Sequence, residues 1–233
     1  MIETTTHSSV SIRLTSRHVH LWTTRLDRRP VVDTLSPDEH ARADRFLRTE
    51  HRASFIARRT WMREVLGVYT GRSARELTFR YQRVGKPQLA ASDAVEFSLS
   101  HSGDMALFAI SAHGPVGADV EAHRVGAYDR DGASLVLSPE EIGAIDVADD
   151  PDRAFLRRWV RKEALGKATG AGLERHLAAH SFYKGPGAVE HDGFRISSVD
   201  VGGLYEAAVA TTPGAIVTMC GPWPRTRVSG GPS

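Results

Sequence analysis

Cysteine is nearly missing: Cys220 is the only one among 233 residues. That excludes an internal disulfide and a four-cysteine zinc site. No apolar run approaches the roughly 20 residues of a membrane-spanning helix. The N-terminal MIETTTHSSV lacks a basic region followed by an apolar core, so no secretory signal is read there. A cytoplasmic location without a membrane partner is expected. Three further patterns are absent: the phosphate loop G-x-x-x-x-G-K-[ST], the dinucleotide fingerprint G-x-G-x-x-G, and the zinc-protease helix H-E-x-x-H. The eleven histidines are scattered, and HVH at His18 reads as alternating strand.

What is present is an ordinary globular composition, 41% hydrophobic and 25% charged, with a formal net charge of only +2. The charge is unevenly placed. Arg42 to Arg63 holds seven arginines against Asp44 and Glu50, a basic helix suited to phosphate or an acidic partner, although a solvated helix face would look the same. The last residues from Trp223, WPRTRVSGGPS, are rich in Pro, Gly and Ser and are expected to form a poorly ordered tail over 223–233.

The chain repeats itself. LSPDEHARAD begins at Leu35 and LSPEEIGAID at Leu137. Each reads as a helix start with serine as N-cap, proline at the first helical position and glutamate three residues after the serine. Downstream, REVLGVYTG (Arg63–Gly71) matches KEALGKATG (Lys162–Gly170), pairing Arg63 with Lys162 and Glu64 with Glu163. Alternating strand patterns follow both helices. The expected fold is α+β, a pseudo-dimer of two similar subdomains, 1–115 and 116–222, with the active site in the cleft between them.

Four stretches carry candidate chemistry. In GADVE (Gly117–Glu121), strand alternation puts Asp119 and Glu121 on one face and Val120 on the other. Paired carboxylates at that spacing suit Mg²⁺ with substrate phosphate oxygens, though D-x-E alone also fits an ordinary exposed strand. FSLSHSGDMALFAIS (Phe97–Ser111) reads as a hairpin whose first strand ends on Ser100 and His101, side chains able to donate to an anion. A serine-hydrolase reading fails because G-x-S-x-G is absent. RVGKPQL fixes Lys86 in a turn at a strand edge. In LRRWVRKEALGKATG, Trp159, Lys162, Glu163 and Lys167 share one side of a helix whose core stripe is Leu156, Val160, Ala164 and Ala168. Glu163 and Lys167 alone would be a helix ion pair worth roughly 0.2–0.5 kcal/mol. That leaves the tryptophan unexplained.

Taken in order, GKP (Gly85–Pro87), FSLSHSG (Phe97–Gly103), GADVE and WVRKEALGKATG (Trp159–Gly170) resemble the 4′-phosphopantetheinyl transferases of the Sfp type, the last matching the signature W-x-x-K-E-[AS]-x-x-K. The resemblance spans roughly Ser36 to Gly172. It implies transfer of the phosphopantetheine arm of coenzyme A to a serine of an acyl or peptidyl carrier protein, with adenosine 3′,5′-bisphosphate as the other product. It further implies that Asp119, Glu121 and Glu163 hold Mg²⁺, for which Mn²⁺ can substitute. Glu163 would help deprotonate the carrier serine, directly or through water, and Lys167 would steady or protonate the leaving phosphate. Lys162 is counted with Lys167 both in the chemistry and in binding the co-substrate. Lys86, Ser100 and His101 would hold phosphates of coenzyme A, and Arg59 and Arg52 its 3′-phosphate and adenine end.

One region departs from the pattern. Where some members carry lysines after the Ser-Pro start, this chain has Glu39 and Arg42. Glu39 is given no role toward coenzyme A, and Arg42 stands as a further basic candidate. The second-half counterpart of GADVE is read as GAIVT (Gly214–Thr218), which has no carboxylate, so a single active site is expected. A monomer acting on a carrier protein, with no nucleic acid, is expected. Two other readings are weighed. A non-catalytic module binding coenzyme A or a carrier protein does not account for the intact set Asp119, Glu121, Glu163 and Lys167. A metal-dependent phosphodiesterase or nuclease lacks basic-aromatic interleaving for stacked bases.

Overall fold

The computed structural model describes residues 14–26, 34–81, 85–90, 95–172, 181 and 187–223. Two helices in it start alike. Ser36 opens α1 (Pro37–Ala43) and Ser138 opens α4 (Pro139–Asp146), each accepting from the amide of the third helical residue while Glu39 or Glu141 reaches back to the serine amide. The capping boxes expected from the sequence are thus both formed, and proline occupies the first turn where its missing N–H costs nothing. Each α1-type segment leads to a long helix, α2 (Thr49–Thr70) or α5 (Pro151–Thr169), ending on a left-handed glycine, Gly71 (φ 68°) or Gly170 (φ 74°).

The strands complete the repeat. Besides its helices the first half has β1 (His18–Arg25), a ribbon of β2 (Phe79–Tyr81) and β3 (Pro87–Leu89), and a hairpin of β4 (Glu96–Ser102) and β5 (Met105–Ser111). The second half has β6 (Val116–Ala122), a one-turn α3 (Arg130–Ala133), and β7 (Val189–His191), β8 (Phe194–Ser198) and β9 (Tyr205–Thr211), and β10 (Ile216–Pro222) follows. One sheet has the order β10-β1-β5-β4 and the other β6-β9-β8-β7. The shared unit is β1-β5-β4 and β6-β9-β8: Val19 pairs with Ser111 as Val116 pairs with Thr211. The protein is therefore α+β, two similar halves.

Packing gives four layers. Trp61, Met62 and Leu66 of α2 cover one face of the first sheet against Phe97, Phe108 and Ile110. Val160, Ala164 and Ala168 of α5 cover one face of the second against Ile196, Ala208 and Ala210. The remaining faces meet each other, Val19, Leu21 and Leu107 against Val116, Val120 and Val209. Each such side chain contributes roughly 1.5–3 kcal/mol on full burial.

Three expectations are corrected here. The segment 116–222 is not self-contained, because β10 returns to the first sheet and pairs in parallel with β1. That pairing also places Gly214–Thr218 outside the second sheet. By register the counterpart of β6 is β1, with Trp22 and Thr24 where β6 has Asp119 and Glu121, so the first half still lacks the carboxylates. Finally, Trp223 is not part of a loose tail. It is buried, its amide donates to Thr23 O at 2.8 Å, and its ring meets Trp22 edge-on at 4.8 Å. The rest of that stretch, 224–233, lies outside the described residues.

Candidate active site

The site begins with a close approach. A Cβ on Gly117 would sit 1.9 Å from Ala164 O and 2.5 Å from Ala168 N. Only a glycine in β6 lets α5 lie this near, and that nearness sets Glu163 and Lys167 over the strand. Alternation then brings Asp119 and Glu121 to the same face as Gly117, with Val120 in the core between the sheets.

Asp119 is buried, and its Oδ1 accepts two hydrogen bonds, from Lys167 Nζ at 2.6 Å and Ser100 Oγ at 2.7 Å. Lys167 Nζ also donates to Ser100 Oγ at 3.0 Å. The other oxygen, Oδ2, is buried with no hydrogen-bond partner among the described residues. Burial pushes the Asp119 carboxyl up, opposed by Lys167 and Ser100 and reinforced by Glu121. Glu163 is pushed up chiefly by burial, Lys167 pulling it down while Asp119 and Glu121 push it further up. Three carboxylates thus repel one another around one ammonium, and a buried carboxylate oxygen is left unsatisfied. Both features call for a cation.

These donors fit Mg²⁺ or Mn²⁺. They are all oxygens, and Asp119 Oδ2 is free to ligate. Among the described residues no group of three His, Cys, Asp or Glu is tight enough to enclose a metal by itself. Mg²⁺ commonly takes only a carboxylate or two and completes its shell with substrate phosphates and water.

Beside the carboxylates lies a cavity of about 380 Å³, walled by α5 on one side and by α2, the α1–α2 connection and the turn before β3 on the other. Glu163, Lys167 and Lys86 line it, as do Arg42, Arg58 and Arg59 with Phe46 and Phe55. The guanidinium carbons of Arg42 and Arg59 stand 5.5 and 5.7 Å from the Phe55 ring centre. Burial, with Arg59 and Arg42 nearby, pushes Arg58 down to about 10. Arg59 is lowered too, mainly by burial, although Tyr81 and Glu39 support its charge. Crowded half-desolvated cations are a polyanion site in waiting.

His101 sits against this cluster. Burial, Arg58 and Lys167 lower it to about 4, so the ring is neutral at pH 7. Arg58 Nη1 lies 3.4 Å from His101 Nδ1. A guanidinium only donates, so Nδ1 accepts and the ring proton is left on Nε2. Lys86 Nζ donates to Val116 O at 2.9 Å and to Lys167 O at 2.8 Å, tying the first half to both β6 and α5.

The structure therefore gathers Asp119, Glu121, Glu163, Lys167 and Ser100, and sets Lys86 and Arg59 in the wall of the adjoining cavity, with His101 against Arg58. Two expected residues lie elsewhere. Lys162 precedes Glu163 but points about 100° away around the helix. It is fully buried, with Nζ 2.8 Å from Glu141 Oε2 and donating to Val136 O at 2.8 Å. A role for Lys162 in the chemistry or in binding the co-substrate is corrected to a structural one. The repeat supports this, since Arg63, its counterpart, pairs with buried Glu39 at 2.7 Å. Arg52 is likewise corrected: it is exposed, paired with Asp44 at 2.8 Å, and does not line the cavity.

Trp159 is half-buried, its ring centre 5.9 Å from that of Phe155, and it packs against two core clusters of α5. It joins the α4–α5 core to the second sheet. Sequence reasoning missed Arg58 and Ser102, and for Ser102 the alternation with Ser100 in S-L-S-H-S was the readable signal.

Comparison with known proteins gives the class. A 4′-phosphopantetheinyl transferase N-terminal family model matches residues 22–113, and the 4′-phosphopantetheinyl transferase superfamily model matches 115–200. The chain belongs to the 4′-phosphopantetheinyl transferase superfamily. It is 36% identical over 175 residues to the 4′-phosphopantetheinyl transferase HetI of Nostoc sp., covering 71% of this chain and 74% of that protein. It is also similar to the transferase AcpT of Escherichia coli O157:H7, 37% over 114 residues (48% of this chain, 58% of that one), and to the 4′-phosphopantetheinyl transferase of Bacillus subtilis, 32% over 108 residues (45% and 46%).

Proposed function

We propose that this cleft transfers the 4′-phosphopantetheine of coenzyme A to a serine hydroxyl of an acyl or peptidyl carrier protein, releasing adenosine 3′,5′-bisphosphate. The observation that carries the reading is buried Asp119, bonded by Lys167 through Oδ1 and unsatisfied at Oδ2, with Glu121 and Glu163 close enough to repel each other's charge. Asp119, Glu121 and Glu163 would hold Mg²⁺, with Mn²⁺ as a substitute. The ion, when bound, supplies charge neutralisation on the pyrophosphate.

The chain's own residues do the rest. Arg42, Arg58 and Arg59 hold the 3′-phosphate end of coenzyme A, with Phe46 and Phe55 as apolar walls for the base. His101 Nε2–H and the Lys86 ammonium donate to phosphate oxygens. The carrier serine oxygen forms a bond to phosphorus as the bond from phosphorus to the adenosine bisphosphate oxygen breaks. Glu163 takes the serine proton, directly or through water, and Lys167 stabilises or protonates the departing phosphate. Oriented charge of this kind is the main source of rate in phosphoryl-type transfer.

The protein is proposed to work as a monomer in the cytoplasm, on carrier protein rather than nucleic acid. No helix among the described residues is long and apolar enough to cross a membrane. Calorimetry separates catalysis from bare binding. Coenzyme A should bind more tightly with Mg²⁺ than with EDTA, whereas identical affinity in both would favour a non-catalytic module.

A further inference from the structure

β4 and β6 are edge strands of different sheets, so no backbone ladder joins them. They nevertheless run side by side, and three serines fill the gap. Alternation turns Phe97 and Leu99 toward the first core and Ser98, Ser100 and Ser102 toward β6. Ser98 Oγ accepts from the Ala118 amide at 3.0 Å, and Ser102 Oγ accepts from the Ala122 amide at 3.0 Å. Hydroxyls thus satisfy the edge of β6 in place of a partner strand.

Two of these serines do more. Ser100 Oγ donates to Asp119 Oδ1 at 2.7 Å, and Ser102 Oγ donates to Glu121 Oε2 at 2.7 Å. Asp119 and Glu121 therefore each receive a hydroxyl from the first half. Among the described residues Glu121 Oε2 has one other partner, Arg124 Nη1 at 3.2 Å, a side chain 56% exposed and weakly held. For Asp119 the result is visible: one oxygen is engaged, while Oδ2 is left unpartnered.

We infer that Ser102, with Ser100, is a positioning residue: the first half's edge strand orients the second half's carboxylates toward the cation they would hold. The backbone bond from the Ala122 amide fixes the hydroxyl, and the fixed hydroxyl fixes the Glu121 rotamer. The inference rests on the metal reading proposed above. Outer hydrogen bonds of this sort typically change metal affinity 10–100-fold. Ser98 makes the backbone bond without touching a carboxylate, and because it borders the cavity it serves as the control with coenzyme A saturating.

The test measures Mn²⁺ binding by electron paramagnetic resonance in the presence of coenzyme A, without carrier protein, alongside the melting temperature of each sample. S102A should weaken Mn²⁺ binding about tenfold or more, and S102T, which keeps the hydroxyl on a strand-compatible side chain, should restore it. S98A should lower the melting temperature and leave Mn²⁺ affinity unchanged. Tight Mn²⁺ binding by S102A, or equal weakening by S98A and S102A, overturns the inference while leaving the metal site standing. Failure of the unsubstituted protein to bind Mn²⁺ overturns the metal site itself.

Discussion

Glu163→Gln lowers turnover about 10²–10⁴-fold with the fold intact, the range expected for loss of a general base. The side chain lines the cavity rather than the core stripe of α5, and glutamine keeps its size. Stability should not suffer. Burial first, then Asp119 and Glu121, raise the folded-state pKa of Glu163 above its unfolded value. A raised pKa means the protonated form is favoured in the fold, so this group's stabilisation is present below the unfolded pKa and lost as pH rises through the folded one. At neutral pH the neutral glutamine should therefore melt at the same temperature or higher. Near-normal turnover at saturating Mg²⁺ would refute the assignment.

Lys162→Met should lower stability by about 3–5 kcal/mol, because it removes the buried ammonium that neutralises the buried Glu141 carboxylate. Denaturant melts read this directly. The second variant decides what the residue is for. Lys162→Met with Glu141→Gln removes the buried charge yet keeps a capping oxygen for the Ser138 amide, since glutamine serves at that position. The pair should recover most of the stability and should turn over normally per folded molecule. A Lys162→Met protein that is stable but inactive would instead return the lysine to the chemistry.

These two neighbours show what a sequence does and does not disclose. The capping boxes at Ser36 and Ser138 were legible because their partners lie within four residues. So was the stripe Leu156, Val160, Ala164 and Ala168, because burial repeats with the helix. The D-x-E face followed from strand alternation alone. Lys162 shares a helical side with Glu163 and Lys167 at low resolution, but α4 packs on that flank and claims it for Glu141. Arg52 and Arg59 lie seven residues apart on one stripe of α2, yet the cavity ends before position 52, where Asp44 is the nearer partner. No local rule distinguishes them. The return of β10 to the first sheet and the burial of Trp223 are likewise long-range events. The serine alternation in β4 was readable, but its meaning depends on which strand edge stands opposite.

The central claim is that the two halves together make one phosphopantetheine-transferring site. Mass spectrometry of apo carrier proteins incubated with coenzyme A and Mg²⁺ tests it most directly. The account predicts a mass gain of one phosphopantetheinyl group on the carrier serine, abolished by EDTA. No gain on any of several carriers, under conditions where a known transferase modifies them, would contradict it.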